Sequence, residues 1–221
     1  TILFLFTIRL GFKNTSFKQS EFFKYLYITT VLIMTLLIIT HKPNIQPSFT
    51  NVATYDIPIP GSVVLGNPNA KVTITEFTDF QWPHCARSVS VVDSILAKYP
   101  NDVKVVIKNF PLSFHKQAYK SAQYALAANE QGKYKEMFHM IFCGTTESVP
   151  SNECNAWRKL KDNENLPLDY ARDLGLDINK FVQDFSSDKI KKQMALEMDQ
   201  FKNSGIPRLA VPKFLVQGKE H

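Results

Sequence analysis

Apolar positions in this chain follow three different rhythms, and each predicts a different element. Residues 25–40 (YLYITTVLIMTLLIIT) form an uncharged apolar run without the polar stripe that a core helix would show. With Phe22 and Phe23 the run reaches the lower length limit of a membrane-spanning helix. Residues 71–77 and 103–108 are short and rich in β-branched side chains, which predicts two strands. Between them Cys85, Val89, Val92, Leu96 and Tyr99 recur at steps of four and three, the spacing of one helix face. A strand, helix and strand of that length form a right-handed βαβ unit. Residues 115–142 and 168–203 have helical periodicity, and residues 213–216 read as a last strand. The pattern predicts an α/β core with a helical insertion over about 113–203.

Residues 41–60 contain four prolines among polar residues and read as a tether, so the globular part is expected to begin near Ser62. The expected order is a tail over 1–20, an apolar helix over 21–41, a linker over 42–61 and one domain over 62–221. The length supports a single core with appendages. The chain starts at Thr1 without methionine and stops at His221 just after a strand and turn signal, which predicts a truncated C-terminus.

Charge sharpens the reading of the first segment. The net charge is +6, and Arg9, Lys13, Lys18, Lys24 and Lys42 against Glu21 place +4 of it in the first 42 residues. Taking those five from 26 basic residues and that one from 20 acidic ones leaves 21 against 19, so the rest is nearly neutral. No basic cluster of the kind that binds nucleic acid is expected there. Positive charge before the apolar run places the N-terminus in the cytoplasm and the remainder outside, where disulfides persist. Beyond the run, residues 41–45 lack a small-x-small cleavage site, which favours an uncleaved signal anchor over a removed signal peptide.

The motifs then point to a family. The run from Gly66 to Gln81 followed by Pro83-His84-Cys85, the segment Lys108-Asn109-Phe110-Pro111-Leu112 before an Ala-rich helix, and Gly205-Ile206 leading to Val211-Pro212 occur in that order over residues 62–218. Together they resemble the DsbA family of thiol-disulfide oxidoreductases. The resemblance implies a thioredoxin fold with a helical insertion, no cofactor, and disulfide exchange with unfolded or folding exported proteins. It further implies an exported location; taken with the apolar anchor and its charge asymmetry, the expectation is a single-pass protein of the bacterial inner membrane, its domain facing the periplasm or cell exterior, with a membrane redox partner as a further expectation.

That chemistry uses two cysteines two residues apart at a helix N-terminus, where backbone amides and the helix dipole stabilise the first thiolate. Here Trp82 stands at the first position, in Trp82-Pro83-His84-Cys85, and only the resolving Cys85 is present. Dithiol exchange is therefore expected to be impaired or absent, and a redox-inactive peptide-binding or chaperone module is the rival reading. Pro83 suits the first helical position with or without catalysis. In the family, His84 would tune the thiolate, and otherwise it is a solvent-facing histidine. Pro212 after Val211 would form the cis-proline loop that pairs with an extended substrate. Glu76 would be a buried acid assisting proton movement at Cys85 with Lys108 as its partner, or the two would be an ordinary exposed strand pair.

Cys143 and Cys154 flank a turn-rich loop and read foremost as a structural disulfide. A second redox pair or half a zinc site is the alternative. Only His139 lies near enough in sequence to join a zinc site, so no metal is expected.

Overall fold

The computed structural model describes residues 19–40 and 53–220, with side chains of the first segment described over 25–36. Most of the expected tail and the first half of the expected linker lie outside the described residues. Helix α1 spans Gln19–Thr40 within the first of two compact units, Thr1–Thr50 and Asn51–His221. Its side chains Tyr27, Ile28, Leu32, Ile33 and Met34 are exposed, and the hydroxyls of Thr29, Thr30 and Thr35 donate back to carbonyls three or four residues earlier. An apolar helix thus forms where the sequence predicts one. Among the described residues, however, no helix is long and apolar enough to cross a membrane.

The second unit is built on a five-stranded sheet in the order β1-β3-β2-β4-β5, where β1 is Val63–Gly66, β2 Val72–Thr78, β3 Val103–Asn109, β4 Lys213–Val216 and β5 Lys219–Glu220. Strands β2 and β3 run parallel, and every other neighbour is antiparallel. Helix α2, Pro83–Lys98, makes the crossover between them and buries Cys85, Val89 and Val92 on its inner face. A helical insertion separates β3 from β4, as the periodicity predicts. It comprises α3 (Ala118–Asn129), α4 (Tyr134–Cys143), a 3-10 helix (Ala156–Lys161), α5 (Leu166–Asp173), α6 (Ile178–Phe185) and α7 (Asp188–Lys202).

Local chemistry divides the insertion more finely than periodicity alone does. Gly132 has φ 71°, a left-handed conformation that glycine adopts without a Cβ penalty, and it separates α3 from α4. Asp177 and Ser187 cap α6 and α7 by accepting the amides of Lys180 and Ile190. The insertion is keyed to the sheet by rings: Phe77 of β2 stacks on Phe201 of α7 at 4.1 Å, and Phe80 stacks on Phe142 of α4 at 4.9 Å.

Two features depart from the sequence reading. Part of the expected linker belongs to the domain: Thr54 bridges Lys219, the Tyr55 amide donates to the Gly218 carbonyl at 2.8 Å, and Ile57 is buried. Backbone outside regular elements has free donors and acceptors to offer a sheet edge. The residues after Cys154 also wind into a 3-10 helix that the pattern did not predict.

Candidate functional site

Strand β2 ends at Thr78, and the chain reaches α2 through a turn organised by Asp79. The buried Asp79 carboxylate accepts the Gln81 amide at 2.6 Å and the Leu112 amide at 2.7 Å, and meets His115 Nδ1 at 2.9 Å. A carboxylate only accepts when ionised, so His115 donates from Nδ1. Burial raises the Asp79 pKa, and these same hydrogen bonds oppose the rise. The Trp82 amide donates to the Asp79 carbonyl at 3.1 Å. Trp82 then takes the position before the first helical residue, in extended conformation (φ −94°, ψ 123°) and with no capping side chain. Pro83 follows at the helix start, where its missing amide hydrogen costs nothing.

The entry to α2 is covered by an indole. Trp82 is half-buried, with its ring 5.3 Å from both His84 and His115 and edge-on to Phe114 at 6.4 Å. The Arg87 guanidinium lies 2.7 Å from His84 Nδ1. Arginine can only donate, so His84 accepts there and carries its proton on Nε2.

Cys85 is the free cysteine and is fully buried. Its sulfur accepts the Asp79 amide at 3.4 Å. Burial pushes the thiol far above the range of an ordinary cysteine, and the charges of Glu76 and Asp79 push the same way. At neutral pH it is a protonated thiol without access, not a nucleophile.

Glu76 is fully buried beneath α2. Its Oε1 meets Ser88 Oγ at 2.8 Å, and its Oε2 has no hydrogen-bond partner among the described residues. Burial raises its pKa to about 7, against the opposing Ser88 hydrogen bond. The Ser88 hydroxyl also points at the Cys85 carbonyl, 2.7 Å away. It has one proton and two acceptors, so Glu76 holds only a share of that hydrogen bond and burial prevails. The local geometry and the raised pKa agree.

Lys108 does not partner Glu76. In the parallel register Glu76 is paired with Ile107 and Phe77 with Lys108, so strand alternation sends Lys108 to the opposite face. There its ammonium donates to the Pro58 carbonyl at 2.5 Å and to Gln200 Oε1 at 2.7 Å. Burial lowers its pKa, opposed by the charge of Glu197.

The Val211-Pro212 peptide bond is cis. The β2/β4 register pairs Phe77 with Lys213, so one further step sets Pro212 beside the carboxyl end of β2, where the turn into α2 begins. Cys143, at the end of α4, is bonded to Cys154, and the bond fixes the 3-10 helix to α4. Nearby His139 Nε2 lies 3.1 Å from Asp93 Oδ1. Among the described residues no group of His, Cys, Asp or Glu is arranged to hold a metal ion.

The structure thus brings Trp82, Pro83, His84, Cys85 and Glu76 together, places Val211 and Pro212 at the same end of the sheet, and sends Lys108 elsewhere. Sequence reasoning missed Asp79, Ser88 and His115 as parts of the site. An aspartate two residues before Gln81 is a recognisable turn signal that could have identified the first of these.

A thioredoxin family profile (Thioredoxin_4) matches residues 59–221, and the chain belongs to that family. The fold is similar to a thioredoxin-like oxidoreductase from Silicibacter pomeroyi DSS-3, with 28% identity, TM-score 0.58, and coverage of 73% of this chain and 83% of that one. It is similar also to BdbD from Bacillus subtilis, with 19% identity, TM-score 0.57, and coverage of 77% and 89%. Among curated proteins, a Na(+)/H(+) antiporter NhaA 1 from Mycolicibacterium gilvum is 30% identical over 159 residues, 72% of this chain. The chain spans about a quarter of the length of that relative, 24%.

Proposed function

We propose that this chain is a membrane-tethered, DsbA-like thiol-disulfide oxidoreductase domain of the bacterial cell envelope whose dithiol exchange is blocked at one position, Trp82. The observation that carries the reading is the pairing of a buried Cys85 with an indole one helical turn earlier, at the entry to α2. In the complete reaction a thiolate at the first position attacks a substrate disulfide and releases one substrate thiolate. The inner cysteine then displaces the second, closing a disulfide within the domain, while the two substrate thiolates take up protons. The domain is oxidised and the substrate reduced, or the reverse. Glu76, with a pKa near neutrality beside Cys85, is suited to accept or return the inner thiol's proton.

The substrates would be unfolded or folding exported proteins, with a membrane protein as redox partner. The exposed apolar surface of α1 supports a tether at the inner membrane, and the basic residues before it support an outward-facing domain. Membrane association after a high-salt wash is expected, and release into the soluble fraction would refute the tether. The match to antiporters falls on a stretch about a quarter of their length, so transport forms no part of this reading.

The inaccessible thiol favours a second reading, a binding module that holds extended polypeptide without redox turnover. Insulin reduction separates the two. The unmodified protein should show little activity and Trp82→Cys should gain at least about a hundredfold, since the thiolate, not the thiol, is the reacting species. Comparable turnover by the unmodified protein would refute the block. An inert Trp82→Cys protein would favour the binding module.

A further inference from the structure

Beside the start of α2 the structure holds a groove of about 680 Å³, within the size range of ligand sites. Gln81 and Pro83 form one wall, and the others come from the segment 114–117 and from the 3-10 helix. Three of its lining residues are cations: Lys116, Arg158 and Lys161. All three are exposed, and none makes an ion pair among the described residues. Neighbouring lysines behave differently, for Lys120 is paired with Glu164 at 3.0 Å and Lys133 with Glu136 at 2.8 Å. Among the described residues no acidic side chain lines the groove. Asp79 lies close behind His115, but it is buried and its oxygens are already occupied.

The apolar part of the lining is aromatic. Phe114 is 67% exposed, with its ring edge-on to Trp82 and His115 and the rest of its surface open to the groove. Trp157 carries the Arg158 guanidinium 5.0 Å from its ring centroid, which holds that cation at the groove wall.

We propose that this groove binds an acidic segment of polypeptide, its carboxylates on Lys116, Arg158 and Lys161 and an aromatic or apolar side chain against Phe114 and Trp157. Arginine with its planar fork suits a carboxylate. The charge complementarity is local. Beyond residue 42 the chain holds 21 basic against 19 acidic residues, and so lacks the broad positive field that nucleic acid binding draws on. The inference rests on the polypeptide-handling part of the reading above and not on its thiol chemistry. It names the substrate class: folding proteins that present acidic, aromatic-containing stretches next to Trp82.

The test uses the whole chain and a fluorescein-labelled, cysteine-free peptide of alternating Glu and Phe, followed by anisotropy. Trp82 and Trp157 are the two tryptophans of the chain, so quenching of intrinsic fluorescence reports the same end of the molecule. The Glu/Phe peptide should bind, and the matching Lys/Phe peptide should bind at least about tenfold more weakly. Arg158→Gln with Lys161→Gln should lower affinity for the acidic peptide about tenfold without moving the thermal melt, because both side chains are exposed. Added salt should weaken binding.

Equal affinity for the two peptides, indifference to the double substitution, or tighter binding of a single-stranded oligothymidylate would overturn the inference. Failure here is distinguishable from failure of the redox reading. An active Trp82→Cys protein that does not prefer the acidic peptide overturns only the groove. An inert Trp82→Cys protein that still binds it overturns only the thiol chemistry.

Discussion

Glu76 and Glu197 are both buried carboxylates, and the contrast between them separates an acid with a full set of donors from one with a single hydrogen bond. Glu197 Oε2 accepts the Asn109 backbone amide at 2.8 Å and its side-chain amide at 2.7 Å, and Oε1 accepts Gln193 Nε2 at 3.0 Å. Lys108 adds a favourable charge. Burial raises its pKa, and every one of these partners opposes the rise. Glu76 has one partner, a serine hydroxyl with a rival acceptor, and one oxygen with none. Its pKa reaches about 7. The acid with many donors ties α7 to the end of β3. The acid without them lies beneath α2 against Ser88.

Removing each acid should therefore have opposite consequences. Glu197→Ala leaves two buried amide donors and a side-chain amide without an acceptor, and should cost about 4 kcal/mol at pH 7. A loss below about 1 kcal/mol in chemical denaturation would erase the contrast. Glu76→Gln should behave otherwise, with a pH dependence that identifies it. The folded pKa of about 7 lies above the ordinary carboxyl value of 4.5, so between those values the unfolded chain releases a proton that the folded protein keeps. Stability contributed by this group is present at low pH and falls as pH rises from 4.5 towards 7. The glutamine variant lacks that loss. Its stability relative to the unmodified protein should rise by about 3 kcal/mol between acid and mildly alkaline pH. A difference flat with pH would mean that Glu76 titrates normally.

A smaller effect sharpens the comparison. Ser88→Ala removes the hydrogen bond that opposes the rise at Glu76, so the Glu76 pKa should move above about 7 at a stability cost of about 1 kcal/mol. Carboxyl titration by NMR in the variant should show that direction. A downward shift would show that Ser88 favours the protonated acid.

Why some of this was legible in the sequence follows from range. The β2-α2-β3 unit was readable because β-branched runs and the spacing of Cys85, Val89, Val92, Leu96 and Tyr99 are local patterns. Pro83 at the helix start is local too. The partner of Lys108 was not readable, because Gln200 lies 92 residues away and the strand register alone decides which face Lys108 occupies. The same holds for Glu197 and Asn109, 88 residues apart. Periodicity also merged α3 with α4, since the break depends on the backbone conformation at Gly132. The residues from Thr54 to Ile57 looked like tether by composition, and only the free edge of β5 gives them a place.

The central claim is that Trp82 alone separates this site from thiol chemistry, and site-resolved alkylation tests it most directly. The reduced Trp82→Cys protein and the unmodified protein are exposed briefly to iodoacetamide in the folded state over a range of pH, and each cysteine is read by mass spectrometry. A cysteine at position 82 would feel the helix N-terminus, so it should react with an apparent pKa below the roughly 8.5 of a free thiol. Cys85 should stay unmodified in both proteins until they unfold. Rapid alkylation of Cys85 in the folded unmodified protein, or an unshifted thiol at position 82, would contradict the account.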